Sequence, residues 1–358
     1  MRRRSTPVIG IDGRRHPRTT DSLRAMTRSE PAGYTDSMSN RRAHRIGLGL
    51  AALGRPAYLT GGRNHDLGDA RSVEDMRTLT ATVLDAAYAG GIRYVDAARS
   101  YGRAEEFLAN WLNSRSDITD IEVASKWGYR YVGDWRMDSE VHEVKDHTLK
   151  AFTAQLRETR ALLGERLDLY QVHSVTEDSP VLSDAELQHA LGDLRDEGVG
   201  VGLSTSGPRQ PEVIRAALAL EVNGAPLFSS VQSTWNMLET SSGAALSEAH
   251  DAGVSVVIKE VFANGRLAPG TTDASPGVQK ALRLAAELQI GLDQLAIAAA
   301  LQQPWKPRVL SGAVTTAQVH SHLAGTDIEL PQHVADELAG QSEEPVEYWA
   351  ARSQREWS

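Results

Sequence analysis

Short apolar runs alternate with helical periodicities along most of the chain. The runs are IGLGL (46–50), IRYVDA (92–97), IEVASK (121–126), LDLYQVH (167–173), VGVGLS (199–204), LFSSVQ (227–232), VSVVIK (254–259) and PRVLSG (307–312). Between the first two, Ser72 to Ala89 sets Val73, Met76, Leu79, Val83 and Ala87 on one helical stripe. Further on, Leu149, Phe152, Leu156 and Leu163 line one face of a helix that Gly164 ends. In AGGIRYV, DEGVGVG and DAGVSVV a helical stretch stops at glycine just ahead of the next strand, where a residue with positive φ is often required. Strand then helix, eight times over about 280 residues, predicts a (β/α)8 TIM barrel rather than a doubly wound sheet. Its strands are then all parallel and its crossovers right-handed.

The barrel is expected over residues 45–340, with 341–358 as a C-terminal tail. Residues 1–44 are rich in Arg, Ser, Thr and Pro and lack a sustained apolar period, so they bury too little surface to offset ordering. A mobile extension is the expectation there. A mis-called start is the alternative, since Met26 and Met38 lie inside it, and no apolar h-region follows MRRRSTPVIG to make it a signal. Composition narrows the class. Apolar residues make up 41% of the 358 and charged ones 24%, which fits a globular core. Thirty-eight basic residues against 47 acidic ones leave a net charge of -9, which argues against nucleic-acid partners. There is no cysteine, hence no disulfide or thiolate metal site, and no apolar run long enough to span a bilayer. A cytoplasmic protein is the expectation.

In a TIM barrel, chemistry sits at the C-terminal ends of the strands. Those positions hold Asp96, Lys126, His173, Ser204, Gln232 and Lys259, all polar after apolar stretches. Other patterns carry less. Gly47-Leu-Gly49-Leu-Ala-Ala52 satisfies a dinucleotide-binding pattern but lacks the preceding strand and following helix, so it reads as a tightly packed barrel strand. GLSTSG (202–207) is not a nucleophile elbow, and the histidine spacings support no metal site.

Tyr101 stands five residues after Asp96, in the loop leaving the second strand. With Lys126 and His173 it brings a phenol, an acid, an ammonium and an imidazole to one barrel mouth. A phenol is a poor acid at neutral pH unless its anion is stabilised, and a nearby ammonium would lower its pKa. Asp96 would hold Lys126 charged, and His173 could donate a hydrogen bond to a substrate oxygen. The D-x-A-x-x-Y-G spacing (96–102), the V-A-S-K strand and the L-D-L-Y-x-x-H strand, in this order, resemble the aldo/keto reductase superfamily and its Asp, Tyr, Lys and His tetrad. The similarity covers about residues 45 to 325.

That resemblance implies an NAD(P)H-dependent oxidoreductase that reduces an aldehyde, ketone or sugar-type carbonyl, or oxidises a sugar lactol or alcohol, with Tyr101 as general acid/base, the acid in reduction. It assigns carboxamide contacts to Ser204, Thr205 and Gln232, with Thr205 where asparagine is usual. Phosphate contacts are implied for the loop FANGRL, with Asn264, Gly265, Arg266 and Leu267, and for Ser311, Gly312 and Gln318 in SGAVTTAQVHSH. NADPH is the implied cofactor and NADH the alternative. Val314 and Ser321-His322 depart from the family pattern around the adenosine 2'-phosphate. Lys259 stands where an aromatic ring usually stacks on the nicotinamide. Its charge would disfavour an oxidised ring unless Glu260 or a substrate carboxylate offsets it. Alternatively it points aside to pair with an acid, and Trp235 supplies the ring face. Trp127, Tyr129 and Trp135 either wall the substrate pocket or pack in the core. Two other classes stay open: a nicotinamide-binding redox sensor with vestigial turnover, and a barrel lyase or isomerase needing no nicotinamide.

Because residues 1–44 show no core-forming pattern, a chain starting near Asn40 is expected to fold and turn over like the full protein. A large loss of melting temperature on truncation would show that the segment packs on the barrel.

Overall fold

The computed structural model describes residues 45–58, 66–68, 70–355 and 357, so the expectation for residues 1–44 lies outside the described residues. The eight apolar runs become eight parallel strands: β1 (Ile46–Gly49), β2 (Tyr94–Asp96), β3 (Glu122–Trp127), β4 (Leu169–Val175), β5 (Gly200–Thr205), β6 (Ser230–Thr234), β7 (Ser255–Lys259) and β8 (Arg308–Ser311). They close in the order β1-β8-β7-β6-β5-β4-β3-β2, with β1 paired to both β2 and β8. The chain is a (β/α)8 TIM barrel. Inside the lower barrel, Tyr94, Ala124, Leu169, Val257 and Leu310 form their own small apolar cluster. Gly47 belongs to this packing, for a Cβ there would lie 2.6 Å from the Tyr94 ring. Gly47 of the IGLGL run therefore serves a crowded barrel interior.

Each crossover carries a helix whose ends follow local chemistry. Helix α1 (Val73–Ala89) starts at Ser72, whose side chain accepts from the Asp75 amide while Asp75 reaches back, a reciprocal cap. It buries Met76, Thr80, Val83, Leu84 and Ala87, with Val73 and Leu79 at the margin. Helix α2 (Ala104–Ser114) follows β2. A hairpin (129–131 with 143–145) and then helix α3 (Leu149–Leu163) follow β3. Gly164 ends α3, as expected, but its buried face is turned: Gln155 and Thr159 are inside, while Leu149 and Leu156 are half-buried. Hydrogen bonds account for the turn. Thr159 donates to the buried Glu105 at 2.8 Å, and Gln155 accepts from the Gly128 amide at 3.1 Å. Polar partners that periodicity does not register set the rotation of this helix.

Helices α4 (Ala185–Asp196), α5 (Gln210–Leu218) and α6 (Gly243–Asp251) cover the next crossovers. Gly91, Gly198 and Gly253, ahead of β2, β5 and β7, all have φ between 80° and 97°. Helices α7 (Pro276–Glu287) and α8 (Leu292–Leu301) together bridge β7 to β8, and α8 is buried nearly all round. Among the described residues no single helix is long and apolar enough to cross a membrane. Helices α9 (Thr316–Ala324) and α10 (Gln332–Ala339) follow β8.

Residues 341–358 are more than the expected tail. Pro345–Ser353 form helix α11, whose Tyr348 and Trp349 are buried. Pro345 opens the helix, and two aromatics supply its apolar face within nine residues. That is too short a stretch for a periodic signal.

The barrel interior supplies a stability test. Gly47→Ala forces a methyl against the Tyr94 ring and is expected to cost on the order of 1–3 kcal/mol in urea unfolding. An unchanged midpoint would show that Tyr94 can swing aside.

Candidate active site

Asp96 ends β2, and its carboxylate is almost fully buried. One oxygen pairs with the Lys126 ammonium, and the other accepts from Gln232 at 2.8 Å and from Gln171 at 3.2 Å. Lys126, on β3, is wholly buried and also donates to the Ala97 carbonyl at 2.9 Å. A buried ion pair survives only if its remaining donors and acceptors are satisfied, and here β3, β4 and β6 all contribute.

The loop after β2 is fixed by its backbone. The Arg99 amide donates to the Lys126 carbonyl at 2.9 Å, and the Tyr101 amide to Ala98 at 3.0 Å. Arg99 is in turn held by Glu105 and Glu158. Tyr101 is thereby presented to the mouth, with the Lys126 ammonium 4.7 Å from its ring centroid. Its hydroxyl lies 3.4 Å from His173 Nε2, and His173 Nδ1 lies 3.4 Å from the Ser100 hydroxyl. His173 sits at a register shift in the β4–β5 ladder, next to Ser174 with φ 54°. The Ser174 amide donates to Ser204 Oγ at 2.8 Å. Such irregularities re-aim a side chain, and here the aim is toward Tyr101.

Burial dominates the electrostatics. It pushes the Tyr101 phenol well above its ordinary pKa, and the Asp96 charge adds to this while Arg55 partly opposes it. The expected lowering by Lys126 does not prevail over burial. Burial, then Lys126 and Lys259, holds His173 well below the usual imidazole range. Both groups are neutral at pH 7, each with a proton to donate.

These residues open onto a cavity of about 1030 Å³, counted with its open mouth. Asp96, Tyr101, His173 and Gln232 line it, as do Lys259, Asn264, Gly265, Ser311 and Gly312. Five expected contacts are absent from its walls. Ser204 supports the β4 irregularity, and Thr205 bonds to Ser233 and Gln210. Arg266 is engaged by Asp273, Ser275 and Glu343, Leu267 is fully buried in the core, and Gln318 holds Asp66 and the Val314 amide. The four polar side chains among them all have partners within the protein. Ser311 lines the cavity with its hydroxyl 2.7 Å from His322 Nδ1.

Lys259 combines both readings of its position. It lines the cavity, yet it donates to Thr234 at 2.8 Å and stands 3.8 Å from Glu260. Trp235 is not among the lining residues and packs edge-on against Trp305. Trp127 packs on Phe152, and Trp135 on Phe107. Tyr129 lies edge-on to His173 at 5.2 Å. Of the three aromatics, none is a cavity wall.

Sequence reasoning missed Arg55, Tyr58, Glu143, Arg352 and Trp357, all of which line the cavity, and named Glu260 only as an offset to Lys259. Arg55 pairs with Glu143 at 2.6 Å and lies 4.6 Å from the Trp357 ring centroid, while Trp357 stacks on His142. Arg352, from α11, holds Glu260 through both carboxylate oxygens. Arg55 follows the first strand end and Glu260 follows Lys259, so position gave a signal for these two. Nothing local marked Arg352 or Trp357.

The sequence model of the aldo/keto reductase family matches residues 45–343. Among solved structures, a holo-form aldo-keto reductase from Bacillus halodurans superposes with a TM-score of 0.62 at 22% identity, covering 84% of this chain and 93% of that one. The glycerol dehydrogenase of Gluconobacter oxydans gives 0.60 at 20% identity, covering 82% and 90%. At these identities the likeness speaks for the fold alone. Norsolorinic acid reductase B of Aspergillus parasiticus is 28% identical over 165 residues, 46% of this chain and 42% of that protein, so the chain spans less than half of that curated relative. With the family match running from the first barrel strand to the residues before α11, this chain belongs to the aldo/keto reductase family.

Proposed function

We propose that the chain is a nicotinamide-dependent carbonyl reductase in which Tyr101 is the general acid, His173 a hydrogen-bond donor to the substrate oxygen, and Lys126 with Asp96 the charge pair behind them. The observation that carries this reading is the 3.4 Å approach of the Tyr101 hydroxyl to His173 Nε2 at the wall of one deep cavity. A nicotinamide bound there supplies the hydride, which no side chain can provide. The cavity suits such a group. The buried Oδ1 of Asn264 has no partner, and nothing lies within 4 Å of a Cβ built on Gly312. Gln232, Asn264, Gly265, Ser311 and Gly312 are the residues that would hold it. NADPH is the cofactor favoured by the resemblance of residues 311–322, and NADH is the alternative.

The residues divide the work by charge. Tyr101 keeps its proton at neutral pH because burial disfavours the phenolate. It releases that proton only when a stronger base, the oxygen of a carbonyl becoming an alkoxide, lies within hydrogen-bond reach. The phenolate left behind develops against the Lys126 ammonium, already in place on the ring face. Neutral His173 donates to the same substrate oxygen and fixes its position. Asp96 keeps the ammonium fixed, while Gln171 and Gln232 hold Asp96.

Tyr101→Phe keeps the ring and removes the proton donor. Carbonyl reduction is expected to fall by on the order of 10² or more with cofactor affinity retained, measured by steady-state kinetics and fluorescence titration. A near-normal kcat would move the acid role to another group. Tight cofactor binding with negligible turnover in the unmodified protein would favour the redox-sensor reading instead.

Lys126→Met leaves the Asp96 carboxylate buried without its cation. A stability loss of about 3–5 kcal/mol is expected, along with a loss of activity comparable to that of Tyr101→Phe. Adding Asp96→Asn should recover much of the stability and none of the activity. If activity returned with stability, the pair would be a structural strut alone.

A further inference from the structure

Among the described residues, the cavity wall holds the cations Arg55, Lys259 and Arg352 and the carboxylates Asp96, Glu143 and Glu260, and Lys126 stands directly behind the wall on Asp96. Three close pairs form: Lys126 with Asp96, Arg55 with Glu143, and Arg352 with Glu260. Lys259 is the cation left over. It stands 3.8 Å from a Glu260 carboxylate that Arg352 already grips through both oxygens, and its one closer polar partner is the neutral Thr234 hydroxyl. Its side chain is only 15% exposed.

A buried ammonium sharing a counter-ion is poorly compensated, and an incoming oxyanion would complete it. Its environment carries this imprint. Burial lowers its pKa to about 8, against the pull of Glu260 and with the help of Arg352 and Lys126. Its field also reaches the substrate end of the cavity, where it helps to hold the His173 imidazole neutral. Glu260 is well kept in its opposing role. Its backbone has φ 57°, its carbonyl accepts from Asn236 at 3.0 Å, and although burial works the other way, Arg352 and then Lys259 pull its carboxyl down to about 2. The carboxylate is thus a fixed part of the wall, and the charge imbalance persists through the neutral range.

We propose that Lys259 anchors a negatively charged group of the substrate, so that the site takes carbonyl compounds bearing a carboxylate or similar oxyanion in preference to neutral ones. The proposal rests on the carbonyl-reductase reading, since Lys259 shares its cavity wall with Tyr101 and His173, the pair that would receive the carbonyl. The same oxyanion chemistry is present in the phosphates of a dinucleotide, so the experiment separates the two sources.

Benzoate and its neutral near-isostere benzamide are titrated into the full chain, with and without saturating cofactor, by tryptophan fluorescence or calorimetry. The proteins compared are the unmodified chain, Lys259→Met and Lys259→Arg. Benzoate is expected to bind about tenfold or more tightly than benzamide, the equivalent of about 1.4 kcal/mol. The ratio should fall to about one in Lys259→Met and largely return in Lys259→Arg. The benzoate advantage should fade as the pH rises through about 8, where the ammonium loses its proton, and be flat in Lys259→Met. Among the described residues, the charged or titratable groups around Lys259 include Glu260 on its own strand end, Lys126 on β3, His173 on β4 and Arg352 on α11, with Arg55, Tyr58, Asp96, Tyr101 and Glu143 on the same cavity wall. Steady-state rates for phenylglyoxylate and its methyl ester should follow the same ratio. A benzoate-to-benzamide ratio unchanged in Lys259→Met overturns the proposal. So does a Lys259→Met protein that loses cofactor affinity while keeping that ratio, which would assign the ammonium to the cofactor's phosphates. Because binding is read without turnover, a protein that reduces no carbonyl would overturn the proposed function while leaving this measurement decisive.

Discussion

The Asp96 carboxylate is the point on which the mouth of this barrel depends. It is buried at the end of β2 and bonded to side chains from β3, β4 and β6, so three other strands are tied to one charge. A desolvated carboxylate tolerates no loose partner, since each missing contact would leave an uncompensated charge in a medium of low dielectric. Closure of the sheet makes the arrangement feasible, because only a closed barrel brings β2 and β6 within side-chain reach across its interior. The demand for compensation in turn fixes Lys126 against the Tyr101 ring.

The same burial acts with opposite sign on the two groups above that pair. It raises the phenol and depresses the imidazole, so both rest neutral and protonated for donation. A wetter mouth would bring each back toward its ordinary range and weaken the electrostatic contrast. The walls around it come from far along the chain: the Arg55–Glu143 pair, the Trp357 ring stacked on His142, and α11 with Arg352 on Glu260.

The C-terminal segment does more than cover the mouth. Arg266 in the loop after β7 is held by Glu343, and the Glu343 amide donates to the Leu238 carbonyl at 2.8 Å. Arg355 donates to the Asn264 carbonyl at 3.2 Å in the same loop. Ala263 and Asn264 adopt left-handed backbone conformations, which cost free energy unless their surroundings hold them. The ion pairs from the last twenty residues are that restraint. The loop's one arginine is itself held in ion pairs.

The sequence by itself determined the barrel and the places of Asp96, Tyr101, Lys126 and His173. Strand ends follow from apolar runs and helix-stopping glycines, which are local properties, and the parallel closed topology then puts those ends on one rim. The crowded glycine strand of β1 was legible for the same reason. What only the tertiary structure decided was which polar groups remained available to a ligand. Arg266 meets Glu343 across 77 residues, Gln318 meets Asp66 across 252, and Arg352 meets Glu260 across 92. Such partnerships arise when loops distant in sequence converge, and no local pattern encodes them. The pKa directions belong with them, because the proximity of a lysine to a tyrosine settles nothing until burial and the lysine's own counter-ion are known. Helix α11 was missed because two aromatics in nine residues make no period, although they suffice to bury one face once a barrel mouth is there to receive it.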